Sequence, residues 1–125
     1  MQTLEQKFAR SVYENVKRYE NENKSERDGY GRMAQKLPVL IRTAGLAQAL
    51  AFVDAKATGN NEKAYHQLLD DLAAVLEYDN RQELLRQSRE ENLIRYMALT
   101  RRALLALTWF KRFSQSILKV DPTGE

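Results

Sequence analysis

The stretch EENLIRYMALTRRALLALTWFKRFSQSILK, Glu90 to Lys119, decides the fold. It has neither glycine nor proline, so nothing local interrupts a helix. Spaced at about 100° per residue, Leu93, Met97, Leu104, Leu107, Phe110 and Ile117 share one broad apolar face. A long helix with such a face predicts the element that organises a helical core. Glu90 and Glu91 point about 100° apart on a helix, which suits a helix start better than a shared proton or metal.

The same periodicity extends backwards through the chain. Tyr65, Leu68, Leu69, Leu72, Val75 and Leu76 mark an acidic helix, with Asp70, Asp71 and Glu77 off its stripe. Asn80 with Glu83, then Ser88 with Glu91, have capping-box spacing and predict a short helix followed by a fresh start. Leu46, Leu50, Val53 and Ala57 form a stripe between Gly45 and Gly59. Met33, Leu37, Leu40, Ile41 and Ala44 continue a stripe through Pro38, where a kink or a restart is expected. Leu4, Phe8, Val12, Val16 and Tyr19 open the chain behind a Thr3/Gln6 cap, in a helix expected to reach about Glu22.

No alternating β-branched run occurs. The expectation is therefore an all-α, compact single-domain bundle of about five or six helices with a long C-terminal helix, spanning residues 1–120. NENKSERDGYG, Asn21 to Gly31, is polar and carries two glycines, so a mobile loop is expected at about 23–31. A flexible tail is expected at 121–125.

Composition narrows the chemistry. A chain of 125 residues fits one domain. Without cysteine there is no disulfide or thiolate metal site, and a reducing, cytoplasmic setting is expected. The lone His66 shares a helix face with Asp70, but spacing supplies no third ligand, so no metal site is assigned and an exposed polar face is expected. A phosphate loop and a nucleophile elbow are both missing, so neither a catalytic residue nor a cofactor is assigned. No apolar run approaches the roughly 18 residues of a bilayer span, and no membrane role is expected.

The net charge of +3 is unevenly spread: residues 1–30 are neutral, 31–61 carry +3, 62–92 carry −4 and 93–125 carry +4. Two basic blocks can form one surface if their helices lie side by side. Taking Leu37 as inward, Arg32 and Arg42 point outward with Gln35 between them and Lys36 alongside. Taking Leu104 as inward places Arg101, Arg102 and Arg112 on one face with Leu105 and Trp109. Arginine forks suit phosphate oxygens without reading sequence. A merely solubilising charged face fits the same residues, and Trp109 and Leu105 fit either core or a partner contact.

KLPVLIRTAGLAQALAFV, Lys36 to Val53, resembles the signature of the small helical subunit family of the type III-B CRISPR Cmr effector complex. YMALTRRALLALTWFKRF, Tyr96 to Phe113, resembles that family's closing helix, and LEQKFARSVYENV its beginning. The chain departs from the pattern at Ala44 and Ala47, where the family often has Asn and Gly. The resemblance implies a non-catalytic subunit present in several copies, forming a minor filament along guide RNA and target RNA in antiviral defence. Other Cmr subunits, further copies of itself and the RNA backbone are then its partners, and no small-molecule substrate is implied. Arg32, Lys36, Arg42, Arg101, Arg102, Lys111 and Arg112 are the candidate RNA contacts, of which Arg42, Lys111 and Arg112 are carried by the family's motifs and the others by helical geometry. Leu105 and Trp109 are the candidate protein contacts. A protein-only helical adaptor is the competing reading.

Overall fold

A computed structural model describes residues 1–121; the tail expected beyond Asp121 lies outside the described residues. Six α-helices follow in order: α1 Leu4–Tyr19, α2 Lys24–Ala44, α3 Leu46–Lys56, α4 Glu62–Val75, α5 Arg81–Glu90 and α6 Leu93–Ser116, with a short 3₁₀ turn at Gly59–Asn61 before α4. The all-α bundle expected from periodicity is what forms.

The first correction concerns residues 23–31, where Asn23 is a helix cap and 24–31 are helix, not loop. Asn23 caps α2 by accepting from the Glu26 amide at 2.9 Å, and Lys24 reaches Asp28 at 2.8 Å one turn on. Arg27 donates back to the Glu20 and Glu22 carbonyls beyond the end of α1, which stops at Tyr19 rather than near Glu22. Gly29 and Gly31 serve close packing. A Cβ on Gly29 would sit 3.4 Å from the Ala64 Cβ, and one on Gly31 would sit 2.6 Å from Val120 Cγ2. Tyr30 between them is fully buried. The polar residues of this segment cover a helix whose apolar face is made of glycine and one tyrosine, which composition alone cannot distinguish from a loop.

α2 continues past Pro38 to Ala44 without restarting. It ends at Gly45, whose φ of 91° favours glycine and whose amide donates to Ile41. Gly45 also starts α3 and has no side chain with which to cap it. The Tyr96 hydroxyl, from α6, accepts from the Ala47 amide at 3.0 Å and takes that role.

The second correction concerns α6. Its cap is Asn92, which accepts from the Arg95 amide at 3.0 Å, while Ser88 sits inside α5 and donates to the Leu85 carbonyl. The residues α6 buries are Leu99, Ala103, Ala106, Leu107, Phe110 and Ser114. Leu93 and Met97 are 71% and 51% exposed, so its first turns extend beyond the core. Leu104 is only half-buried, and the inward direction lies about 100° round the helix from it. Small alanines define that direction because they let α6 lie close to its neighbours, whereas a hydrophobicity pattern weights the larger leucines.

α2 and α6 run antiparallel in contact, with Gly31 meeting Val120, Gln35 meeting Gln115, and Gly45 meeting Tyr96. α1 packs on the other flank of α6, where Tyr13 meets Phe113 edge-on at 5.5 Å. Beneath them, Tyr30 stacks on Tyr19 at 4.2 Å and donates to Asp71 of α4 at 2.6 Å, tying three helices together.

Candidate nucleic-acid interface

The antiparallel pairing brings the two basic blocks of the sequence side by side. Pro38 and Arg42 of α2 and Thr108, Lys111, Arg112 and Gln115 of α6 line one groove of about 450 Å³. Its three charged groups are all cationic, and among the described residues no carboxylate lines it. Arg42 and Lys111 are exposed and without a partner among the described residues. Arg112 lies over the Trp109 ring, its guanidinium carbon 5.9 Å from the centroid. The ring limits its freedom without neutralising it. Arg101 is exposed two turns before Thr108 and falls with Thr108, Arg112 and Gln115 in an arc of about 60° on the outer face of α6.

The other expected cations lie elsewhere. Arg32 is half-buried, with Asp28 at 3.8 Å. Lys36 is exposed but about 120° round α2 from Arg42. Arg102 turns to a different flank of α6, towards the Leu76 carbonyl at 3.5 Å and the end of α4. The face that was expected to hold Arg101, Arg102 and Arg112 together is divided because α6 is rotated relative to the Leu104 frame.

Leu105 and Trp109 are half-buried and packed against the core, Trp109 beside Phe113 at 5.6 Å. The Trp109 Nε1 group is buried and has no acceptor among the described residues. The more exposed apolar groups of α6 are Leu93, Ile94 and Met97 at its first two turns.

His66, Asp70 and Asp71 diverge. His66 faces Asp54 at 3.9 Å, Asp70 accepts from the Arg81 amide and guanidinium, and buried Asp71 accepts from Tyr30 and Gln67. Among the described residues no three acidic or imidazole groups cluster as metal ligands. Burial pushes the Asp71 carboxyl above its ordinary range, against the pull of Tyr30, Gln67 and Arg18. Two groove residues, Thr108 and Gln115, were missed from sequence; their seven-residue spacing was visible, but neither type announces binding.

The profile described as CRISPR-associated protein (Cas_Cmr5) matches residues 4–117. The chain belongs to the Cmr5 family of CRISPR-associated proteins. The CRISPR system Cmr subunit Cmr5 of Thermus thermophilus is 44% identical over 119 residues, covering 95% of this chain and 99% of the relative. The crystal structure of a Cmr5 family protein from the same organism superposes with a TM-score of 0.86 at 45% identity, covering 94% of this chain and 99% of the other. The resemblance of Lys36–Val53 and Tyr96–Phe113 to a Cmr small subunit is thus borne out across nearly the whole chain. As a Cmr5-family member it carries no helix, among the described residues, long and apolar enough to cross a membrane.

Proposed function

We propose that this Cmr5-family chain is a non-catalytic, cytoplasmic small subunit of a type III-B Cmr effector complex that lies along the guide RNA and target RNA in antiviral defence. The observation that carries the reading is the groove in which Arg42, Lys111 and Arg112 converge from two helices with no carboxylate among the described residues that line it. A sugar-phosphate backbone supplies anions at regular spacing, and cations without a base-reading element contact it irrespective of sequence. Sequence recognition is then left to guide pairing. Arg101 extends the groove along α6, and Arg32, Lys36 and Arg102 serve as outlying contacts to RNA approaching from other sides.

Neighbouring Cmr subunits and further copies meet Leu105, Trp109 and the exposed Leu93, Ile94 and Met97. Those exposed side chains also favour the second reading, a protein-only adaptor. Crosslinking of RNA in the assembled complex separates the two. Changing Arg42, Arg101, Arg102 and Arg112 to Ala, singly and together, is expected to weaken crosslinks and target capture. Unchanged crosslinks and capture would reject RNA contact through this surface.

A further inference from the structure

The groove holds hydrogen-bond acceptors among its cations, and the fold sets their polarity. The Val120 carbonyl can only accept, so buried Gln35 turns its amide nitrogen to it at 3.0 Å. Gln35 is left with its oxygen, which accepts from Gln115 Nε2 at 3.1 Å. Gln115 therefore has its own carbonyl oxygen left to accept from a ligand in the groove it lines. Gln115 also keeps its second amide N–H, whereas Thr108 donates its one hydroxyl proton to the Leu104 carbonyl at 3.0 Å and offers only lone pairs. The two acceptors stand on one line of α6, about 10 Å apart.

A phosphate oxygen has no proton to give, so a ligand made of phosphates alone can meet the Gln115 amide N–H but leaves the Thr108 hydroxyl oxygen and the Gln115 carbonyl oxygen unmatched. They suit one that places a hydroxyl donor beside each phosphate. Ribose does so and deoxyribose does not. We propose that Thr108 and Gln115 accept hydrogen bonds from ribose 2′-hydroxyls, so that the groove distinguishes RNA from a backbone lacking that donor. This rests on the reading of the groove as a phosphate-binding surface.

The test uses the full chain at low salt, titrated with an RNA duplex and with its 2′-fluoro counterpart, which keeps the phosphates and the RNA-like sugar pucker but loses the donor. The wild-type chain should bind the unmodified duplex about threefold or more tightly, the scale of one or two net hydrogen bonds. The double variant Thr108→Val, Gln115→Leu, at two exposed positions, should lose the preference and bind both duplexes equally. Equal binding of both duplexes by the wild-type chain, a comparison needing no variant, would overturn the proposal and leave the phosphate groove standing. A preference that persists in the double variant would overturn it too. Failure of the wild-type chain to bind either duplex would overturn the groove reading and this one with it.

Discussion

The Tyr30 hydroxyl donates to the Asp71 carboxylate at 2.6 Å across the middle of the bundle, with Tyr30 fully buried and Asp71 nearly so. Burial holds the tyrosine hydroxyl well above its ordinary range, so it remains a donor. Tyr30→Phe removes that donor and leaves the carboxyl in the same dry site, at a cost of about 1–3 kcal/mol. Urea unfolding measures it; a loss within experimental error would show that water or Gln67 replaces the hydroxyl.

Asp71 also sets a pH dependence. Its folded pKa is raised, so between the unfolded value of about 4 and the folded one the native state holds a proton that the unfolded chain has lost. Its contribution to stability therefore falls as pH rises through that window and levels off above it. Asp71→Asn should abolish this fall, with Gln67 turning its amide to accept from the new one. Parallel slopes for wild type and variant from pH 3.5 upward would contradict the assignment.

Gly29 and Gly31 should respond oppositely to alanine. At Gly31 the new methyl meets Val120 at 2.6 Å and must displace the segment that orients Gln35, costing about 1–3 kcal/mol by overpacking. At Gly29 the nearest atom is 3.4 Å away, and the gain in helix propensity of up to about 1 kcal/mol makes the change neutral to stabilising. Thermal unfolding of the two variants checks the contrast. Equal effects would mean that Val120 yields easily.

These two glycines also show where sequence reading stops. In a polar stretch of sequence they suggest a turn, and only the approach of Ala64 and Val120, distant in sequence, makes them packing positions. The bundle itself was legible because Val12, Leu37, Leu68 and Leu107 recur at helical spacing and are all buried. The orientation of α6 was not, since Ala103, Ala106 and Ser114 mark its inward face and carry little hydrophobic signal. Arg42, Lys111 and Arg112 were legible as candidates, but their convergence depends on the antiparallel pairing of α2 with α6.

Cap chemistry separates the start of α6 expected from its sequence from the one it adopts. Asn92→Ala removes the bond to the Arg95 amide and should cost about 1 kcal/mol, whereas Glu91→Ala should cost less than half as much. Denaturant melts of the two variants compare them, and the reverse order would place the helix start at Ser88 and Glu91 after all.

The most direct test of the phosphate groove is RNA affinity as a function of salt, for the wild-type chain and for Arg42→Ala, Lys111→Ala, Arg112→Ala combined. Each phosphate neutralised contributes about −0.7 to −0.9 to the slope of log affinity against log salt. The three groove contacts predict that the triple variant, while remaining folded, binds more weakly with a slope shallower than the wild type's by about 2 to 3. A folded triple variant with the wild-type affinity and slope would contradict the account.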